Sequence, residues 1–186
     1  MSSSPLWTGA EPGSVLTVPA ERAERDAAQL LDDVWYDDGD GRPLIPVDPI
    51  WIARLLGIDV YTAAMDEDFS GALEKVADED PAIYLNRSDS PNRQRFTCAH
   101  EVGHYYARTV RGDISYSFTD RRDKLARAGT DSDEVYANQF GAALIMPGSE
   151  VKRWHRKVGG DPVRLAARFR VSEDAMRFRL ANLGLR

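Results

Sequence analysis

A single cysteine, Cys98, stands in 186 residues. It rules out a disulfide within the chain and fits a reducing compartment, the cytoplasm. No apolar run approaches the ~20 residues that a membrane span needs, so no membrane association is expected. Met1 to Gly13 carries no Lys or Arg and no apolar block, which excludes a secretory signal there. Histidine is scarce as well. The chain has three, and two of them, His100 and His104, stand four residues apart.

The rest is ordinary for a globular protein, with 42% hydrophobic and 29% charged residues. One compact unit, or a domain with a small appendage, is expected from this length. The net charge of −6 hides an asymmetry. From Lys152 to Arg186, ten Lys/Arg stand against three Asp/Glu, a surplus of +7; the remainder has fourteen against twenty-seven, or −13. An acidic body with a basic tail suggests a partner for the tail, either nucleic acid or an acidic protein face.

Residues 1–18 are rich in Ser, Pro and Gly and read as a flexible N-terminus. Ala23, Ala27, Leu30, Leu31 and Val34 then recur at helical spacing. Asp37 to Gly41 is an acidic turn without the ligand spacing of a calcium loop. Asp48 and Pro49 open a second, short helix that Gly57 closes. Ile58 to Tyr61, Gly71 to Val76 and Ala82 to Leu85 read as short strands. Together with the helices they predict an α+β fold with a small three-stranded sheet.

The sharpest signal follows. His100-Glu101-Val102-Gly103-His104 is H-E-x-x-H, the zinc-peptidase pattern. On a helix, four residues advance about 400°, so the two imidazoles emerge within roughly 40° of each other and can grip one ion. Glu101 lies about 100° round from His100, placed to serve a water at the metal without ligating it. Ser90 can cap this helix and Pro91 suits its first turn. Phe96, Ala99, His100, Gly103, His104 and Ala107 share one stripe, which sets both histidines toward the core. Cys98 falls about 200° from His100 and should point away from the metal.

Arg111 to Thr130 is polar and reads as a loop over the site. Ser132 can cap the next helix, which runs to Met146 with Phe140, Ala143 and Leu144 on an apolar face. Asp161-Pro162 and Ser172 start two more helices joined by a short turn, a helix-turn-helix-like pair. The division drawn is a flexible N-terminus at 1–18, a catalytic domain at 19–150 and a basic C-terminal helical subdomain at 151–186.

A catalytic zinc site takes three protein ligands and leaves one position for water. Two are placed, and Glu134 and His155 are the candidates for the third. Small residues at Ala137 and Gly141 would let the Glu134 helix lie close to the motif helix, whereas His155 sits in a basic segment, Lys152 to Lys157. Tyr105, Tyr106, Tyr136 and His155 are the candidates for stabilising an oxyanion.

Arg95-Phe96-Thr97-Cys98-Ala99-His100-Glu101-Val102-Gly103-His104 resembles the R-F-T-x-A-H-E-x-G-H of the ImmA/IrrE-type metallopeptidases. Glu134 to Pro147 is similar to that family's E-x-x-A-N-x-F-A-A-x-L-L-M-P, with Gly141 where Ala is usual and, further upstream, Cys98 where an aliphatic residue is common. Ile83 to Asn86 and the ending Leu165 to Leu185 fit as well, so the resemblance covers roughly 45 to 185. It implies a zincin-like helical core, Glu134 as third metal ligand beside His100 and His104, and Glu101 as catalytic base. It implies zinc, with manganese as the alternative ion. The family often acts on a helix-turn-helix repressor to release mobile-element or stress-response genes. A cytoplasmic, site-specific endopeptidase with such a repressor as substrate is therefore expected. The competing reading is a non-catalytic or toxin–antitoxin-type regulator that holds a repressor, or less favourably DNA, through its basic C-terminal helices.

Overall fold

The computed structural model describes residues 19–36, 39–76, 78–112, 118–123 and 132–185. The N-terminal stretch 1–18, the start of the acidic turn and most of the expected loop over the site therefore lie outside the described residues. Helix α1 (Pro19–Val34) is followed by α2 (Pro49–Leu55), strands β1 (Asp59–Ala63), β2 (Phe69–Lys75) and β3 (Ala82–Asn86), and the long α3 (Pro91–Arg111). Strand β4 (Phe118–Asp123) and helices α4 (Ser132–Ile145), α5 (Gly148–Val158), α6 (Pro162–Phe169) and α7 (Glu173–Asn182) complete the chain. The class is α+β, as the strand and helix patterns required. No described helix is long and apolar enough to cross a membrane.

The sheet has four strands, not three, in the order β1-β3-β2-β4. β1 runs parallel to β3, and β2 runs antiparallel to both β3 and β4. The added strand lies inside the segment read as a loop. Phe118–Asp123 has one apolar residue in six, so no alternating pattern marks it; it forms because β2 offers an edge to pair with. A bulge between Phe69 and Gly71 marks that pairing.

The inner face of the sheet, with Leu73, Ile83 and Leu85, is fully buried against α3. Gly71 is what allows this approach. A Cβ there would meet Thr97 Cγ2 at 2.5 Å and the Tyr84 carbonyl at 2.8 Å. Asn86, buried at the end of β3, holds the strand ends together. Its amide donates to the Phe69 and Asp66 carbonyls at 2.7 and 3.2 Å, and its oxygen accepts from Ser88 N and Oγ. Arg95 on α3 donates to the Val47 carbonyl at 2.6 Å and to the Arg170 carbonyl at 3.3 Å, joining the approach to α2 to the turn between α6 and α7.

α4 is buried on nearly every side, because it lies between α3 and α1. Its Tyr136 hydroxyl donates to Asp26 Oδ2 on α1 at 2.7 Å. The segment Lys152–Lys157, read from sequence as a basic stretch, folds into α5, which Gly159 ends in the left-handed conformation at φ 68°. The expected helix pair is present as α6 and α7, with Arg170 at φ 54° in the turn. Leu165, Phe169, Met176 and Leu180 join the same apolar cluster as Ile83 and Phe140. Arg179 on α7 is buried too. It donates to the Met146 carbonyl at 2.9 Å and forms a two-armed pair with Glu24 of α1.

Candidate metal centre

α3 starts where its sequence says it should. The Ser90 hydroxyl accepts from Arg93 N at 3.3 Å and Pro91 occupies the first turn. Twenty-one residues later Gly112 closes the helix at φ 78°. The helix is therefore regular through 100–104, and the His100 and His104 rings meet edge to face with centroids 4.7 Å apart and planes at 75°. Both are buried, as is Glu101 between them. Cys98, fully buried, belongs to the core; burial pushes its thiol pKa up, which keeps it protonated and inert.

α4 brings the fourth group. Its first turn carries Glu134, whose Oε1 lies 3.0 Å from His104 Nε2 and whose Oε2 lies 3.6 Å from His100 Nε2. The contact depends on how near the helices run. Gly103 on α3 faces Ala137 and Phe140, and a Cβ on it would sit 3.1–3.2 Å from them. Gly141 on α4 faces Ala99 and His100 at 2.9–3.2 Å in the same sense. Ser132, expected as the cap of α4, is instead the first residue of the helix.

The two Nε2 atoms are 3.0 Å apart. Bare ring nitrogens and a carboxylate repel at such range unless positive charge lies between them, as a shared proton or a metal ion. The donor set fits the second. Every separation, 3.0, 3.0 and 3.6 Å, is below the ~4.2 Å that two zinc–ligand bonds span. Glu101 offers an oxygen within 4.8 Å of a ligand nitrogen on each histidine, and among the described residues His100, Glu101 and His104 are the one such cluster. That distance is about what one intervening water fills.

Of the residues read from sequence, the structure brings together His100, His104, Glu101 and Glu134. His155 is on α5 and is not part of the cluster. Two of the oxyanion candidates are also turned elsewhere. Tyr136 is bonded to Asp26, and Tyr106 packs against Phe140 at 5.3 Å; the first is about 200° round its helix from Glu134 and the second about 200° from His104. Burial first, then Asp26, raises the Tyr136 pKa; burial pushes Tyr106 up to about 12. Tyr105 is the candidate that follows Glu101 by one turn on the same face of α3.

One residue was missed. His100 Nδ1 is 3.1 Å from Asn138 Oδ1. The signal was available, because Asn138 follows Glu134 by four residues and so shares its face of α4. A family model for the IrrE N-terminal-like domain (Peptidase_M78) matches residues 53–181. The match opens in α2, closes in α7 and contains both α3 and α4, leaving α1 outside. No curated protein matches the chain.

Proposed function

The chain belongs to the IrrE N-terminal-like peptidase family, and from that membership we propose that it is a zinc-dependent endopeptidase in which His100, His104 and Glu134 hold the ion and Glu101 is the catalytic base. The family makes it a metallopeptidase-type protein; the roles of the individual residues are our reading. The observation that carries it is the convergence of two Nε2 atoms 3.0 Å apart on one carboxylate at 3.0 and 3.6 Å.

A divalent ion at this position supplies Lewis acidity, polarising a carbonyl and lowering the pKa of water toward ~7. The rest is done by the chain. His100 and His104 are fixed by one regular helix, and Glu134 is held to them by the glycine contacts. The Glu101 carboxylate takes a proton from the attacking water and delivers it to the leaving amide nitrogen, a role worth about 10²–10⁴ in rate. A structural site has no use for a carboxylate beside its ligands, which favours catalysis over a binding module.

The substrate class we infer is a helix-turn-helix repressor, held by the basic helices at the C-terminus. On that side Trp154 of α5 lies under Arg168 at 4.4 Å, Lys157 at 4.7 Å and Arg153 at 5.1 Å. Such a concentration of cations suits an acidic partner surface. The test of the metal reading is metal content. Purified protein should hold one divalent ion per chain, and Glu134→Ala should weaken binding by orders of magnitude. Equal affinity in the variant would remove Glu134 from the ligand set.

A further inference from the structure

Asn138 lies half-buried on α4, one turn after Glu134. Its amide oxygen faces His100 Nδ1 at 3.1 Å. An amide oxygen can only accept, so Nδ1 must carry the proton. In neutral imidazole the other nitrogen is then bare. That nitrogen, Nε2, is the atom 3.0 Å from His104 Nε2 and 3.6 Å from Glu134 Oε2. The opposite tautomer would point an N–H into the place where the ligand atoms converge.

We propose that Asn138 is a positioning residue that locks His100 in its Nδ1–H form, so that Nε2 presents a lone pair to the metal. This rests on the metallopeptidase reading and specifies how that site is prepared before metal arrives. The partner is neutral. A carboxylate in its place would draw the Nδ1 proton more strongly and make Nε2 a stronger donor. The amide fixes the ring while adding no charge, so the positive charge of a divalent ion is offset by Glu134 alone among the ligands. One helix thus supplies both a ligand and the group that orients another ligand, at positions i and i+4.

The experiment uses the full chain without metal, labelled with ¹⁵N in histidine, above the titration range of its imidazoles. The wild-type His100 signals should report Nδ1–H. Asn138→Leu should shift them toward the Nε2–H form and lower zinc affinity about 10–100-fold in competition with a chelator. Asn138→Asp should restore the Nδ1–H form and bind zinc at least as tightly as wild type. Variants are compared at matched helix content and melting temperature, so that a merely structural loss is recognised. Wild-type His100 in the Nε2–H form overturns the assignment whether or not zinc binds. So does an Asn138→Leu protein with unchanged tautomer and affinity, or an Asn138→Asp protein that is folded yet fails to recover either. A wild-type protein with Nδ1–H at His100 that binds no divalent metal overturns the metallopeptidase reading instead.

Discussion

Gly141 lies directly against the backbone of His100: a Cβ on it would come within 2.9 Å of the His100 amide nitrogen and 3.1 Å of its Cα. Backbone cannot rotate out of the way as a side chain can. The residue usual at this position of the family pattern, Ala, would therefore force α3 and α4 apart in this chain. We expect Gly141→Ala to cost about 1–3 kcal/mol through overpacking. At this chain length that is a fall of roughly 2–12 °C in melting temperature. The same displacement would draw Glu134 away from His104, so zinc affinity should fall together with stability. A variant with wild-type melting and wild-type affinity would show that the two helices have slack we do not see.

The second relationship predicts a pH dependence. The Tyr136 hydroxyl donates to Asp26 from a nearly inaccessible position, and burial followed by Asp26 raises its pKa above the ordinary 10. A phenol whose folded pKa is raised favours the native state fully below about pH 10, where both states are protonated. As pH rises past 10, the unfolded phenol ionises while the folded one does not, and stability is lost. Tyr106, raised to about 12, acts in the same direction. Tyr136→Phe should cost about 1–2 kcal/mol at neutral pH, since Asp26 loses a donor. Its stability should then fall less steeply than wild type between pH 10 and 12. Denaturant unfolding of both proteins across that range decides it, and parallel curves would mean that Tyr136 does not carry the shift.

These two contacts also show what could be read from the chain and what could not. The face shared by Ala99, His100, Gly103, His104 and Ala107, with Ser90 and Pro91 ahead of it, defined α3 and its paired imidazoles from local chemistry alone. β1, β2 and β3 were visible because their apolar residues fall in short bounded runs. β4 was not, because F-T-D-R-R-D earns strand geometry only from the edge of β2. α5 carried a signal in Val151, Trp154 and Val158 at helical spacing, obscured by four interleaved cations and His155. Arg179 could not have been foreseen. An arginine in a basic tail reads as surface, yet it is buried between the Met146 carbonyl and Glu24, 155 positions away. Asn138 was readable by spacing, but its partner on α3 depends on how closely two glycines let the helices approach.

Pairing inside the fold also reduces the charge that the tail offers. Arg179 is bonded to Glu24, Arg153 to Glu150 and Arg177 to Glu173, the last an exposed pair at 3.4 Å. An exposed pair of that kind contributes little and yields readily to a partner. Arg168 packs over Trp154, so its reversal would disturb α5 against α6. Arg164 and Arg177 are exposed and are the better probes. We expect Arg164→Glu with Arg177→Glu to weaken repressor binding at low salt by at least tenfold, the difference shrinking as salt rises through the screening range. Zinc content should not change. Equal binding by both proteins at low and moderate salt would remove the basic helices from docking, and tight duplex DNA binding with a steep salt slope would assign them to nucleic acid.

The last prediction concerns the chemistry. Glu101 is 1% exposed and shares its surroundings with both histidines. Glu101→Gln keeps the shape and removes the proposed base. It should hold the same metal as wild type and lose at least about 10²-fold in cleavage. The substrate to offer is any helix-turn-helix regulator whose gene adjoins that of this chain, incubated with and without chelator, with fragments identified by mass. Cutting one regulator requires narrow recognition, and the basic helices together with residues 111–130 are where that recognition is expected to reside. We therefore expect one or a few discrete cuts that require metal and vanish in Glu101→Gln. An intact regulator under every metal tried, with zinc still bound, would mean that the site holds an ion without hydrolysing peptides and that the protein works by binding. General degradation of casein would instead keep the enzyme and discard the repressor as its particular substrate.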